Sequence, residues 1–105
     1  MDNKATTDNN ATLVVTAIPN PSEMASVQEY LHGVLPLFLS AGGKLVKRLK
    51  VDQALLGDPT GMTLVMDFES ADKISALFDS DAYQALVPLR DKGFAEMNIW
   101  TAHSM

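Results

Sequence analysis

Lys44, Lys47, Arg48 and Lys50 hold half of the chain's eight basic residues within seven positions. Such a cluster suits an anion, and a guanidinium in it suits a carboxylate, which it grips through two parallel hydrogen bonds. The plainer role is a solvated strand whose lysines discourage edge-to-edge pairing. A second group is Asp67, Glu96, Asn98 and Trp100, which alternate along two stretches that read as strands and so share one face. Two carboxylates in one cavity push one pKa up and supply an acid and a base. Their plainer role is to pair with Arg48 or a lysine in structural ion pairs. Catalytic residues are not assigned by either group.

Other chemistries lack their residues. His32 and His103 are the only histidines, and no His, Asp or Glu recurs at the i, i+4 spacing of a helical metal motif, so no metal site is expected. Cysteine is absent, which removes disulfides and thiolate ligands. Gly42-Gly43 follows a helical pattern instead of a strand, the wrong context for a phosphate loop, and no cofactor is expected. Ser22, Ser70 and Ser80 read as helix caps, and Met62, Met66 and Met97 as packing. Thirteen acidic residues give a formal net charge of −5, which argues against nucleic acid and anionic membrane as partners. The apolar run Val34 to Leu39 falls far short of the roughly 20 residues a membrane span needs. Met1 to Thr12 carries Asp2 and Asp8 and does not read as a signal peptide. A cytoplasmic location follows by elimination.

The elements that must position these groups are legible from periodicity. Residues 1–12 are polar and predict a disordered tail, with one domain over residues 13–105. Leu13 to Ile18 is rich in β-branched residues and stops at Pro19-Asn20-Pro21, a first strand. Ser22 caps a helix whose stripe is Met24, Val27, Leu31, Val34 and Phe38. That helix runs through Pro36 to Ala41 and ends at Gly42-Gly43. Lys44 to Arg48 predicts a second strand that resumes at Ala54 to Leu56, before the turn Gly57 to Gly61. Met62 to Phe68 alternates cleanly as a third strand. Ser70 and Ser80 cap two helical segments, the second closed by Pro88 and Gly93. Ala95 to Thr101 is the last strand, with Ala95, Met97 and Ile99 opposed to Glu96, Asn98 and Trp100.

The order β-α-β-β-α-β predicts an α+β, ferredoxin-like domain: a four-stranded antiparallel sheet with helices on one face. Its other face then carries Val65 and Trp100, an apolar patch that predicts a homodimer.

Several segments are similar to a known family. They are Gly42-Gly43-Lys44-Leu45-Val46-Lys47-Arg48, Gly57-Asp58, Asp67-Phe68-Glu69-Ser70, and above all Ser80-Asp81-Ala82-Tyr83-Gln84-Ala85-Leu86-Val87-Pro88-Leu89-Arg90. Together with Val34-Leu35-Pro36 they resemble domain-of-unknown-function family 1330. The resemblance implies a dimeric α/β barrel, two ferredoxin-like sheets closing around a shared interior. It also singles out Arg48, since the family carries an arginine there. Pro59, Ala82, Leu49 and Lys50 depart from the family pattern.

Arg48, Asp67, Glu96, Asn98 and Trp100 therefore form the candidate ligand-binding set. The expected site lies inside the barrel, Arg48 is its principal contact and a small organic anion is the ligand. Two functions remain open on these residues. One is a metal-free enzyme acting on a small organic molecule in the barrel interior; the other is a non-catalytic dimeric binding or structural module. They differ in whether the polar groups converge on an open cavity.

Overall fold

A computed structural model describes residues 11–105. Strand β1 (Ala11–Pro19) is followed by a 3-10 turn (Pro21–Glu23) and helix α1 (Met24–Ser40). Strands β2 (Lys44–Lys50) and β3 (Met62–Phe68) come next, then helices α2 (Ala71–Asp79), α3 (Asp81–Gln84) and α4 (Val87–Gly93), and strand β4 (Phe94–Ala102). The strands form one antiparallel sheet in the order β2-β3-β1-β4. With the helices on one face, this is the α+β, ferredoxin-like arrangement predicted by the element order.

β1 takes a central place because its β-branched residues suit a strand paired on both sides. It starts two residues before the expected boundary. Ala11 is buried at 6% exposure, and Thr12 Oγ1 donates to Asp67 Oδ1 at 2.7 Å. The rest of the expected tail, residues 1–10, lies outside the described residues.

Ser22 does not cap α1. The backbone N–H of Ser22 instead donates to Asn20 Oδ1 at 3.1 Å, and Pro21 opens one 3-10 turn before the helix. The fixed φ of a proline suits that first turn. α1 buries Val27, Tyr30, Val34 and Phe38, while Met24 stays 44% exposed. Tyr30 thus joins the interior stripe, and its hydroxyl finds a partner there. Pro36 sits on the exposed side and the helix continues through it. At the helix end Gly42 adopts φ 90°, the left-handed conformation that glycine enters without steric cost. Gly43 N–H then donates to Phe38 O at 2.9 Å.

Ser70 and Ser80 do cap α2 and α3, their hydroxyls accepting from Lys73 N and Tyr83 N. Pro88 begins α4 and does not close the preceding segment. No strand forms at Ala54 to Leu56, because residues 51–61 have no neighbouring strand to pair with. They make a loop whose base is fixed by Val51 N–H donating to Gly61 O and Gly61 N–H donating to Ala17 O. Leu55 and Leu56 at its far end are 88% and 96% exposed.

Two bulges set which side chains face the helices. One, between Ile18 and Pro19, aligns Pro19 with Phe94, so Phe94 and not Ala95 fills the core at the start of β4. The other lies at Val46: Leu45 pairs with Met66, but the next aligned pair is Lys47 with Val65. A bulge inserts one residue and reverses the alternation beyond it. The core between sheet and helices is formed by Leu13, Ala17, Met66 and Phe68 from the strands against Val34, Phe38, Ile74 and Tyr83.

Candidate functional site

Strand register arranges the helix-free face in rows. Asp67 aligns with Thr12, and Val65 aligns with Val14, which in turn faces Trp100. Thr63 aligns with Thr16 and Thr16 with Asn98, while Ile18 aligns with Glu96. The middle row is apolar and the flanking rows are threonine-rich. Asp67, Glu96, Asn98 and Trp100 all lie on this face.

They do not converge. Asp67 and Glu96 are reached from Thr12 and Ile18, six positions apart on β1, which at about 3.3 Å per residue separates them by about 20 Å. Asp67 accepts from the Thr12 hydroxyl. Asn98 Nδ2 donates to Thr16 Oγ1 at 3.2 Å and approaches Glu96 Oε2 at 3.5 Å. An acid and a base for one substrate must stand within hydrogen-bond reach of it, so these two carboxylates do not form such a pair within one protomer.

Arg48 departs from the expected placement more sharply. Counting by twos from Lys44 puts it on the helix-free face beside Asp67. The bulge at Val46 reverses that count, and Arg48 aligns with Leu64, whose side chain packs against the core. Arg48 therefore belongs to the helical side of the sheet, away from Asp67, Glu96, Asn98 and Trp100. There it lines a groove of about 410 Å³ with Leu31 and Leu35 of α1, Lys50 of β2 and Met62 and Leu64 of β3.

Beneath the groove is a cavity of about 40 Å³. Leu31, Leu35, Met62 and Leu64 line both, so the groove's floor and the cavity's wall are the same side chains. Val34, Phe38 and Phe78 help to complete the cavity, whose surface is apolar throughout. Groove and cavity together have an apolar interior and a cationic rim. That is the usual make-up of a small-ligand site, in which a few polar groups orient an otherwise apolar guest.

Behind the cavity the Tyr30 and Tyr83 hydroxyls lie 2.9 Å apart, and Arg90 Nη1 donates to Tyr83 Oη at 3.2 Å. Burial, then the bond to Tyr83, push the Tyr30 phenol well above the usual tyrosine range, while Arg90 acts the other way. Tyr30 is consequently a neutral donor, not a base. In sequence Leu31 belongs to the packing stripe of the first helix, and Tyr30 carries no signal of its own. The signal that pointed to Tyr83 and Arg90 is their place in the segment Ser80 to Arg90.

The sequence pattern of the family described as domain of unknown function (DUF1330) matches residues 11–105. The chain belongs to DUF1330. No curated protein sequence matches this DUF1330 chain. Among solved structures, RPA0582 of Rhodopseudomonas palustris, a protein of unknown function, is 13% identical with a TM-score of 0.79, over 92% of this chain and 83% of that one. A dimeric, ferredoxin-like protein of unknown function from Bacteroides fragilis is 9% identical with a TM-score of 0.60, over 90% and 96%. A proposed antibiotic biosynthesis monooxygenase of Caulobacter crescentus is 12% identical with a TM-score of 0.64, over 97% and 95%. At such identities the likeness establishes the DUF1330 fold as ferredoxin-like and nothing about chemistry.

Proposed function

We propose that this DUF1330 protein is a homodimeric binding protein for a small organic anion with a short aliphatic body. The anionic head meets Arg48 at the groove, and the aliphatic end enters the apolar cavity beneath. One observation carries this reading: a wholly apolar cavity lies under a rim whose charged side chains, Arg48 and Lys50, are both cationic, with only the groove's own apolar side chains between them. The size of the cavity supports an aliphatic guest over an aromatic one. A void that takes benzene measures about 150 Å³, several times this one.

Binding is favoured over catalysis because Tyr30 is the one titratable side chain lining the cavity, and burial keeps it a neutral donor with no base or nucleophile beside it in that lining. The homodimer is supported by the apolar Val65–Val14–Trp100 row and by the dimeric state of the B. fragilis neighbour. Titration calorimetry with a series from butyrate to octanoate, and with benzoate, tests the reading. Aliphatic acids should bind and benzoate should not. Arg48→Ala should weaken the complex roughly ten- to hundred-fold, the worth of a charge-assisted contact of about 1.5–3 kcal/mol. Equal affinity in the variant, or turnover of the acid, would reject it.

A further inference from the structure

We propose that β2 and the loop 51–61 form an arm that grips a second copy of this chain, with Leu55 and Leu56 as its anchor. The inference rests on the homodimer proposed above and adds where the two copies hold each other.

All seven residues of β2 are exposed, although the strand includes Leu45, Val46 and Leu49. The loop then carries two adjacent leucines almost wholly into water. Two large apolar side chains so exposed leave the gain from their burial unrealised in a single copy. The molecule is flat and long, with extents of 52 × 38 × 16 Å, so the β2 side extends beyond the helical layer.

The helix-free face does not complete a stable interface without this arm. Four strands about 4.8 Å apart and about 25 Å long give a footprint on the order of 500 Å². A standard interface buries about 800 Å² on each partner. The exposed leucines of β2 and the loop lie next to that face and supply apolar area of the kind it lacks.

Charge selects how the copies meet. On the helix-free face β2 carries Lys44 and Lys47, whereas β4 at the opposite edge of the sheet carries no cation. A two-fold axis across the strands would lay β2 on β2, cation against cation. A two-fold axis along the strands lays β2 of one copy over β4 of the other. Lys47 shares its row with Val65, Val14 and Trp100, so this second arrangement also carries it toward the partner's Trp100 edge. Because Arg48 lies on the same strand, the partner would steady the rim of the ligand groove.

The test is sedimentation equilibrium on the full chain and on the double variant Leu55→Asp/Leu56→Asp. Both side chains are exposed within the protomer, so circular dichroism should show the variant folded. Its dimer dissociation constant is expected to rise at least a hundredfold. An unchanged constant beside a dimeric parent overturns the arm and leaves the dimer standing. A parent that is monomeric at micromolar concentration overturns both. Cross-linking tests the orientation: the chain has no cysteine, so in the double variant Lys47→Cys/Trp100→Cys two copies should join through a disulfide between these two positions. A Lys47→Cys single variant that instead cross-links to itself would reject β2 over β4.

Discussion

Tyr30 and Tyr83 bring two hydroxyl protons to a single O···O contact, so one proton must find another acceptor. Arg90 Nη1 also donates to Tyr83 Oη, so that oxygen is held on two sides. Tyr30 Oη has Met97 Sδ at 4.0 Å as a further, weak acceptor. Tyr30→Phe removes one hydroxyl of the buried pair and leaves the other without that partner, and should cost about 1–3 kcal/mol in urea unfolding. The same residue makes stability depend on alkaline pH. Burial and the Tyr83 bond hold Tyr30 protonated in the fold, while an unfolded tyrosine loses its proton near pH 10. The contribution is therefore intact below about pH 10 and declines as pH rises beyond it, by up to about 1.4 kcal/mol per pH unit. Unfolding between pH 9 and 11 should show a steeper fall in the parent than in Tyr30→Phe.

At the scale of elements, the bulge in β2 decides which side of the sheet Arg48 serves. Because Val46 is the inserted residue, deleting it should straighten the strand and leave Arg48 opposite Leu64. The deletion is expected to keep affinity for the aliphatic acid within about threefold, and calorimetry would detect a flip to the other face as lost binding. Gly43 marks the opposite limit of tolerance. A Cβ there would stand 2.7 Å from the Phe68 ring and 2.8 Å from Phe38 O, so Gly43→Ala should destabilise by about 1–3 kcal/mol in the same urea assay. Periodicity made the four strands, α1 and the caps at Ser70 and Ser80 readable, because each leaves a mark in residue type. The bulge left none: Val46 is as good a strand residue as its neighbours, and a count by twos passes through it. The groove was hidden for a related reason. Leu31, Leu35, Met62 and Leu64 come from different elements and are apolar, so nothing in their pattern distinguishes a ligand wall from ordinary core.

At the scale of the whole molecule, the sheet carries its helices on one side only and leaves Trp100 52% exposed on the other. Trp100 is the chain's single tryptophan, so its fluorescence reports that face alone. If two copies cover it, emission should shift to the red on dilution through the dimer dissociation constant. The shift should coincide with the fall in mass from twice 11.4 kDa seen by sedimentation. A spectrum independent of concentration across that transition would mean that the copies join elsewhere.

The cavity behind Leu31 and Met62 also has a mechanical consequence. A void of 40 Å³ in each molecule amounts to about 24 mL per mole, comparable to the whole volume by which many small proteins contract on unfolding. Compression should therefore unfold the empty protein readily. A guest that fills the void, whether xenon or the methyl end of a fatty acid, should raise the midpoint pressure and lessen the contraction.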